Sequence, residues 1–106
     1  MKLNMYAIFD SAVGAYMRPF FLQADGQAQR MFSDMASDAE HEVGRHPEDY
    51  SLCRIGVWDD ENAETAVEAV TTIITGLEAV AASRKVNSQR VLELNKEIEG
   101  GKNNSR

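Results

Sequence analysis

The sequence holds one cysteine, two prolines and two histidines in 106 residues, and no apolar run long enough to cross a bilayer. Each scarcity excludes something. A lone Cys53 cannot close an internal bridge, so no disulfide framework holds this chain and a reducing compartment is expected. A membrane-spanning helix needs roughly 20 consecutive apolar residues, and none occur in a row here, so no membrane association is expected. Met1-Lys2-Leu3-Asn4 lacks the apolar stretch and small-residue cleavage site of a secretory signal, which points to a cytoplasmic setting.

The inventory of reactive groups is equally thin. His41 and His46, with Glu40, Glu42, Glu48 and Asp49 nearby, invite a metal reading, but His-x4-His matches no zinc motif and no second Cys or His pair exists. A solvated polar loop is the plainer reading. The acidic run Asp59-Asp60-Glu61, with Glu64 beyond it, lacks the central glycine and closing glutamate of a calcium loop. Phosphate-binding glycine loops and Gly-x-Ser-x-Gly elbows are absent. Cys53 sits in an apolar strand pattern, where a thiol behaves as a small hydrophobe. No enzyme activity, metal or cofactor is expected.

What is present is enough apolar material for one core, 43% of residues, and an uneven charge. Residues 1–82 carry five basic and fourteen acidic side chains, a net −9; residues 83–106 carry six basic and three acidic, a net +3, and together these give −6. An acidic body repels phosphate backbones. Basic charge is in excess only in the C-terminal stretch, which reads equally as a solvated helix.

Along the chain, Leu3 to Phe9 alternates as a strand and Ala15 to Leu22 as a second, so the two suggest a hairpin. Pro19 inside the second removes a ladder donor, which predicts an edge strand or a bulge. Asp25 is the candidate N-cap of a helix whose stripe is Ala28, Met31, Phe32 and Met35. Residues 39–48 read as a loop with room for a helical turn. Tyr50 to Trp58 reads as a central strand, with Leu52, Arg54, Gly56 and Trp58 on one face by simple alternation. Residues 64–82 fit either extended or helical structure; the acidic turn before them favours a strand over 64–70. Ser83 to Glu99 reads as a helix with a narrow stripe of Val91, Leu94 and Ile98, and residues 100–106 as a disordered tail. The expected fold class is α+β: an antiparallel sheet of three to four strands, one packed helix and a C-terminal helix. The expected organisation is a body over 1–82, a helical extension over 83–99 and the tail.

Aromatic rings recur in the strand segments, with arginines among them. Rings on an open sheet face can stack single-stranded bases, and basic side chains can meet phosphates. The candidate nucleic-acid-binding residues are therefore Tyr16, Arg18, Arg54 and Trp58 on the sheet, and Arg84, Lys85, Arg90 and Lys96 in the C-terminal stretch. Against this stands the reading that the rings simply fill a core.

Tyr6-Ala7-Ile8-Phe9-Asp10, Pro19-Phe20-Phe21, Arg30-Met31-Phe32-Ser33-Asp34, His46-Pro47-Glu48-Asp49-Tyr50-Ser51-Leu52 and Ile55-Gly56-Val57-Trp58-Asp59 follow one another in an order and spacing that resembles the small nonstructural protein of Microviridae bacteriophages of the gokushovirus-like branch. The resemblance covers about residues 1–62. It implies a non-capsid protein of the host bacterial cytoplasm, acting in replication or packaging of a single-stranded DNA genome, with single-stranded DNA or viral and host replication proteins as partners. It carries no catalytic residues. A second class of function stays open: an acidic protein–protein interaction module that binds capsid, scaffold or host replication proteins, or a second copy, without touching DNA.

Overall fold

A computed structural model describes residues 1–104 and the side chains of residues 1–98. Its centre is a five-stranded antiparallel sheet: β1 (Lys2–Asp10), β2 (Ala15–Tyr16), β3 (Phe20–Leu22), β4 (Tyr50–Asp59) and β5 (Glu64–Thr75). β1 and β4 lie in the middle, β5 forms one edge, and β2 and β3 follow one another along the opposite side of β1. The helices are α1 (Asp25–Ala36), the single turn α2 (Glu42–Arg45) and α3 (Gly76–Asn104), with a 3-10 turn at Pro47–Asp49. The α+β class and the antiparallel sheet are as the sequence predicts.

The fifth strand comes from splitting the second one. β2 pairs Phe9 with Tyr16, whereas β3 pairs Tyr6 with Phe20, so the register slips by one residue between them. Met17 still donates to the carbonyl of Ile8 at 2.8 Å. Arg18 and Pro19 then fall outside the ladder, where a residue without an N–H does least harm.

All the helical cover lies on one face of the sheet. Tyr6, Ile8 and Leu52 from β1 and β4 meet Ala28, Phe32 and Ala36 of α1, Val43 of α2 and Ala79 of α3. Tyr6, Phe32, Leu52 and Val43 are the largest side chains wholly out of solvent. The periodicity of α1 explains this, since Ala28, Phe32 and Ala36 are spaced by one turn and form its inner ridge.

Two boundaries differ from the sequence reading. α1 is capped not by Asp25 but from Ala24, where the Gln27 side chain turns back to accept from the Gln23 and Ala24 backbone N–H groups at 3.0 and 3.2 Å. Asp25 is thereby released for other partners. At the other end, β5 runs on to Thr75 and α3 begins at Gly76, before the expected Ser83. Thr75 and Glu78 form a reciprocal cap: the Glu78 carboxylate accepts from the Thr75 N–H and hydroxyl, and the Thr75 oxygen accepts from the Glu78 N–H. A side chain on Gly76 would strike the Pro47 carbonyl, so this strand-to-helix turn passes directly over the 3-10 turn. The helical backbone also continues over residues 100–104, where an irregular tail was expected; residues 105–106 lie outside the described residues.

Candidate nucleic-acid interface

The register of β4 decides which candidate residues share a surface. Simple alternation puts Arg54 and Trp58 side by side. The pairing shows otherwise: Tyr6 faces Arg54 but the preceding Met5 faces Gly56, so Ile55 is an extra residue in β4. A bulge of one residue flips everything beyond it to the other side of the sheet. Arg54 therefore joins Tyr6 and Leu52 on the helix-covered face, while Trp58 joins Leu3 and Met5 on the open one.

On the covered face Arg54 is already engaged. Its Nη1 donates to Asp25 Oδ2 at 2.6 Å, and its Nε lies 3.7 Å from Glu68 Oε2. The Tyr6 hydroxyl donates to the other Asp25 oxygen at 2.7 Å and accepts from Asn4 at 3.0 Å. The hydrogen bond to Asp25 holds the guanidinium charged more firmly than usual, and burial followed by the same carboxylate raises the Tyr6 hydroxyl above its ordinary range. Two carboxylates around one guanidinium leave no net positive field for a phosphate. Arg54 ties β1, β4, β5 and the start of α1 together, and it leaves the list of candidate DNA contacts.

The open face carries two ring pairs. Phe9 and Tyr16 have centroids 4.7 Å apart and Phe21 and Trp58 5.9 Å apart, both tilted. Between them lies a trough of about 360 Å³ across the sheet, floored by Met5, Ala7 and Ile55 and walled by Tyr16 and Met17 on one side and Val67 and Val70 on the other. Tyr16 is half exposed and Val67 is 88% exposed, so this is apolar surface in contact with water. Arg18 is exposed and sits between Met17 and Pro19, both of which line the trough; among the described residues it makes no ion pair. Cys53 also belongs to this face, but it is buried against its neighbours and burial pushes its thiol above the ordinary range, which makes it a poor nucleophile.

The four remaining candidates, Arg84, Lys85, Arg90 and Lys96, are exposed on α3. This helix packs against α1, in the layer opposite Tyr16 and Trp58. At about 100° per residue, only Lys85 and Lys96 fall on one side of it, about 16 Å apart. The structure thus sorts the expected site into three places: rings with Arg18 on the open face, a neutralised Arg54 beneath the helices, and cations spread around α3.

The histidines separate as well. His41 Nδ1 accepts from the Val43 N–H at 3.1 Å and caps α2. His46, Glu48 and Asp49 bring ligand-type atoms within 4.8 Å of one another on a surface turn. His46 and Glu48 are both more than half exposed, and an acidic turn of this kind needs no ion.

No helix among the described residues is long and apolar enough to cross a membrane. Comparison with known proteins finds no match among curated proteins or solved structures. One protein family does match, described as phage ORF5 protein, over residues 3–80. That span takes in the sheet from Leu3 onward, α1, α2 and the first turn of α3. It covers well over half of the sequence, and the chain therefore belongs to the phage ORF5 protein family.

Proposed function

We propose that this phage protein is a non-enzymatic accessory of genome replication or packaging, of the gokushovirus-like Microviridae type, that associates with single-stranded DNA on the open face of its sheet. The observation that carries this reading is the pair of aromatic clusters, Phe9 with Tyr16 and Phe21 with Trp58, on the face no helix covers, with Tyr16 and Phe21 exposed and Arg18 exposed between two residues of the trough wall. Every base has a π-face, so rings of this kind bind single strands without reading sequence. The acidic body limits the electrostatic share of affinity and makes stacking the larger part of it. Such a protein works in the cytoplasm of the infected bacterium, where the single strand is made.

Fluorescence anisotropy with a labelled single strand of about 30 nucleotides tests the reading. Trp58→Ala and Tyr16→Ala are each expected to weaken binding by about fivefold or more, since one base–ring stack contributes roughly 1–3 kcal/mol. Arg18→Glu is expected to flatten the salt dependence by the equivalent of one phosphate contact. Unchanged binding in all three, or none by the parent protein at low salt, overturns it.

A second reading is favoured by β5. Its outer edge is unpaired among the described residues, it is exposed from Glu64 to Thr72, and it is rich in β-branched residues. An added strand from a capsid or replication protein fits such an edge. Exposed Glu64 and Glu68 would favour a basic partner segment.

A further inference from the structure

We propose that Glu68 gives the open face a preference among bases, by accepting hydrogen bonds from the Watson–Crick edge of guanine. The inference rests on the reading that this face holds single-stranded DNA, and it adds which base the face selects.

Ordinary alternation sends neighbouring side chains of a strand to opposite faces. Val67 and Glu68 break that rule, since both line the trough, together with Val70. The pairing of β5 with β4 shows why. Val67 faces Gly56 and Thr71 faces Arg54, so Glu68, Ala69 and Val70 stand opposite Ile55 alone. β5 arches out of the ladder over these residues, and the Thr71 hydroxyl donates to the Ala69 carbonyl at 3.3 Å at the end of the arch. Bulges re-aim side chains in this way. The result is a carboxylate on the wall of an otherwise apolar trough, where Glu68 is the charged group among the lining residues. Its Oε2 lies 3.7 Å from Arg54 Nε, an ion pair that anchors it at the sheet edge. That distance is too long for a hydrogen bond, so the carboxylate accepts none among the described residues and its lone pairs are open to a ligand.

Charge is thus divided across the trough. Arg18 stands between Met17 and Pro19 on the side of β2 and β3, and Glu68 stands on the side of β5. Three strand spacings, about 14 Å, separate the two sides. A nucleotide has the same polarity, with an anionic phosphate at one end and the hydrogen-bonding edge of its base at the other. Laid across the trough, it turns its phosphate to Arg18, because Glu68 repels it, and its base edge to Glu68. A carboxylate only accepts. Thymine offers it one N–H flanked by two carbonyls. Cytosine and adenine each offer an amino group beside an acceptor nitrogen. Guanine offers adjacent N1–H and N2–H donors, which match the two carboxylate oxygens as a bidentate pair. The rings are indifferent to sequence, and the arch of β5 adds the one group that is not.

The test is fluorescence anisotropy of the full chain with labelled strands of about six nucleotides, all thymidine but for one central position. Deoxyguanosine and deoxyinosine at that position differ only in the N2 amino group. The guanine strand should bind about fivefold more tightly than the inosine strand, since a hydrogen bond to a charged acceptor is lost with that group. The all-thymidine strand should bind no better than the inosine strand. Glu68→Ala should bind the guanine and inosine strands alike, whatever their common affinity gains from the loss of a negative charge. This ratio separates base reading from plain repulsion of phosphate, and circular dichroism checks that the variant is folded. Equal binding of the guanine and inosine strands by the parent chain, or a preference that survives in Glu68→Ala, overturns the proposal and leaves the DNA reading standing. Failure of the parent chain to bind any strand at low salt overturns both.

Discussion

The two faces of the sheet are built from the same strands and treated in opposite ways. On the covered face, Tyr6, Leu52 and Phe32 are sealed from solvent, and the polar groups that enter, Asp25, Arg54 and the Tyr6 hydroxyl, satisfy one another. On the open face, Tyr16, Phe21 and Val67 meet water with no layer above them. Both faces are apolar, so composition does not tell them apart. What differs is whether a helix is available to lie on each, and both long helices are used on one side. Contiguous apolar surface left exposed marks a place for something else to bind.

The covered face should dominate stability. Phe32 lies wholly buried in the helix–sheet layer, and Phe32→Ala leaves an apolar cavity there. The expected loss is about 3–5 kcal/mol, measured by denaturant unfolding followed through Trp58. A loss near 1 kcal/mol would mean that the layer is loosely packed, and the contrast between the faces would collapse.

The polar edge of that face comes next. Asp25→Ala leaves the Tyr6 hydroxyl and Arg54 each without their closest partner. Asp25 is 39% exposed on its side chain, so water compensates in part, and about 1–2 kcal/mol is expected. Asp25→Asn should recover a share of this, because an amide oxygen still accepts from Tyr6. If Asp25→Ala costs nothing, Arg54 is freely hydrated and returns as a candidate phosphate contact.

Titration sharpens the same point. The Tyr6 hydroxyl titrates above its ordinary 10 in the folded chain, first because it is buried and then because it donates to Asp25. Above pH 10 the unfolded chain gives up this proton while the folded chain keeps it. Stability from this group is therefore fully present below about pH 10 and falls as pH rises beyond it. Tyr50, also raised chiefly by burial, adds to the fall in the same direction. Tyr6→Phe should flatten the alkaline limb of a stability–pH curve, and an unchanged limb would show that Tyr6 is hydrated.

Much of the fold is legible in the sequence, and the failures have physical causes. β1 and β4 follow from alternation and β-branched or aromatic content, and α1 from its one-turn ridge. The start of α3 was also written in the chain: Thr75-Gly76-Leu77-Glu78 is a Thr-x-x-Glu capping box that follows directly on the β-branched run from Val67 to Thr75. The bulge at Ile55 is different. Gly56 beside it is its one local mark, since a glycine inside a strand often accompanies a bulge, but the change of face follows only from fitting β4 against both β1 and β5. That one extra residue carried Trp58 to the open face, away from Leu52 and Arg54, and broke up the expected interface. The pairing of Asp25 with Tyr6 and Arg54 joins residues 19 and 29 positions apart and is equally invisible until the sheet is assembled.

The smallest expected effect is the most discriminating. Val67 is 88% exposed and stands on the wall of the open trough. If nothing in the folded chain covers that face, Val67→Lys should change stability by no more than about 0.5 kcal/mol, as for an ordinary surface site. The same substitution brings a cation beside the rings and Glu68, so single-stranded DNA should bind at least as tightly as before, while an apolar protein partner should bind less well. One variant therefore asks two questions. Stability reports whether the face is truly bare, and the direction of the binding change reports which class of partner it serves.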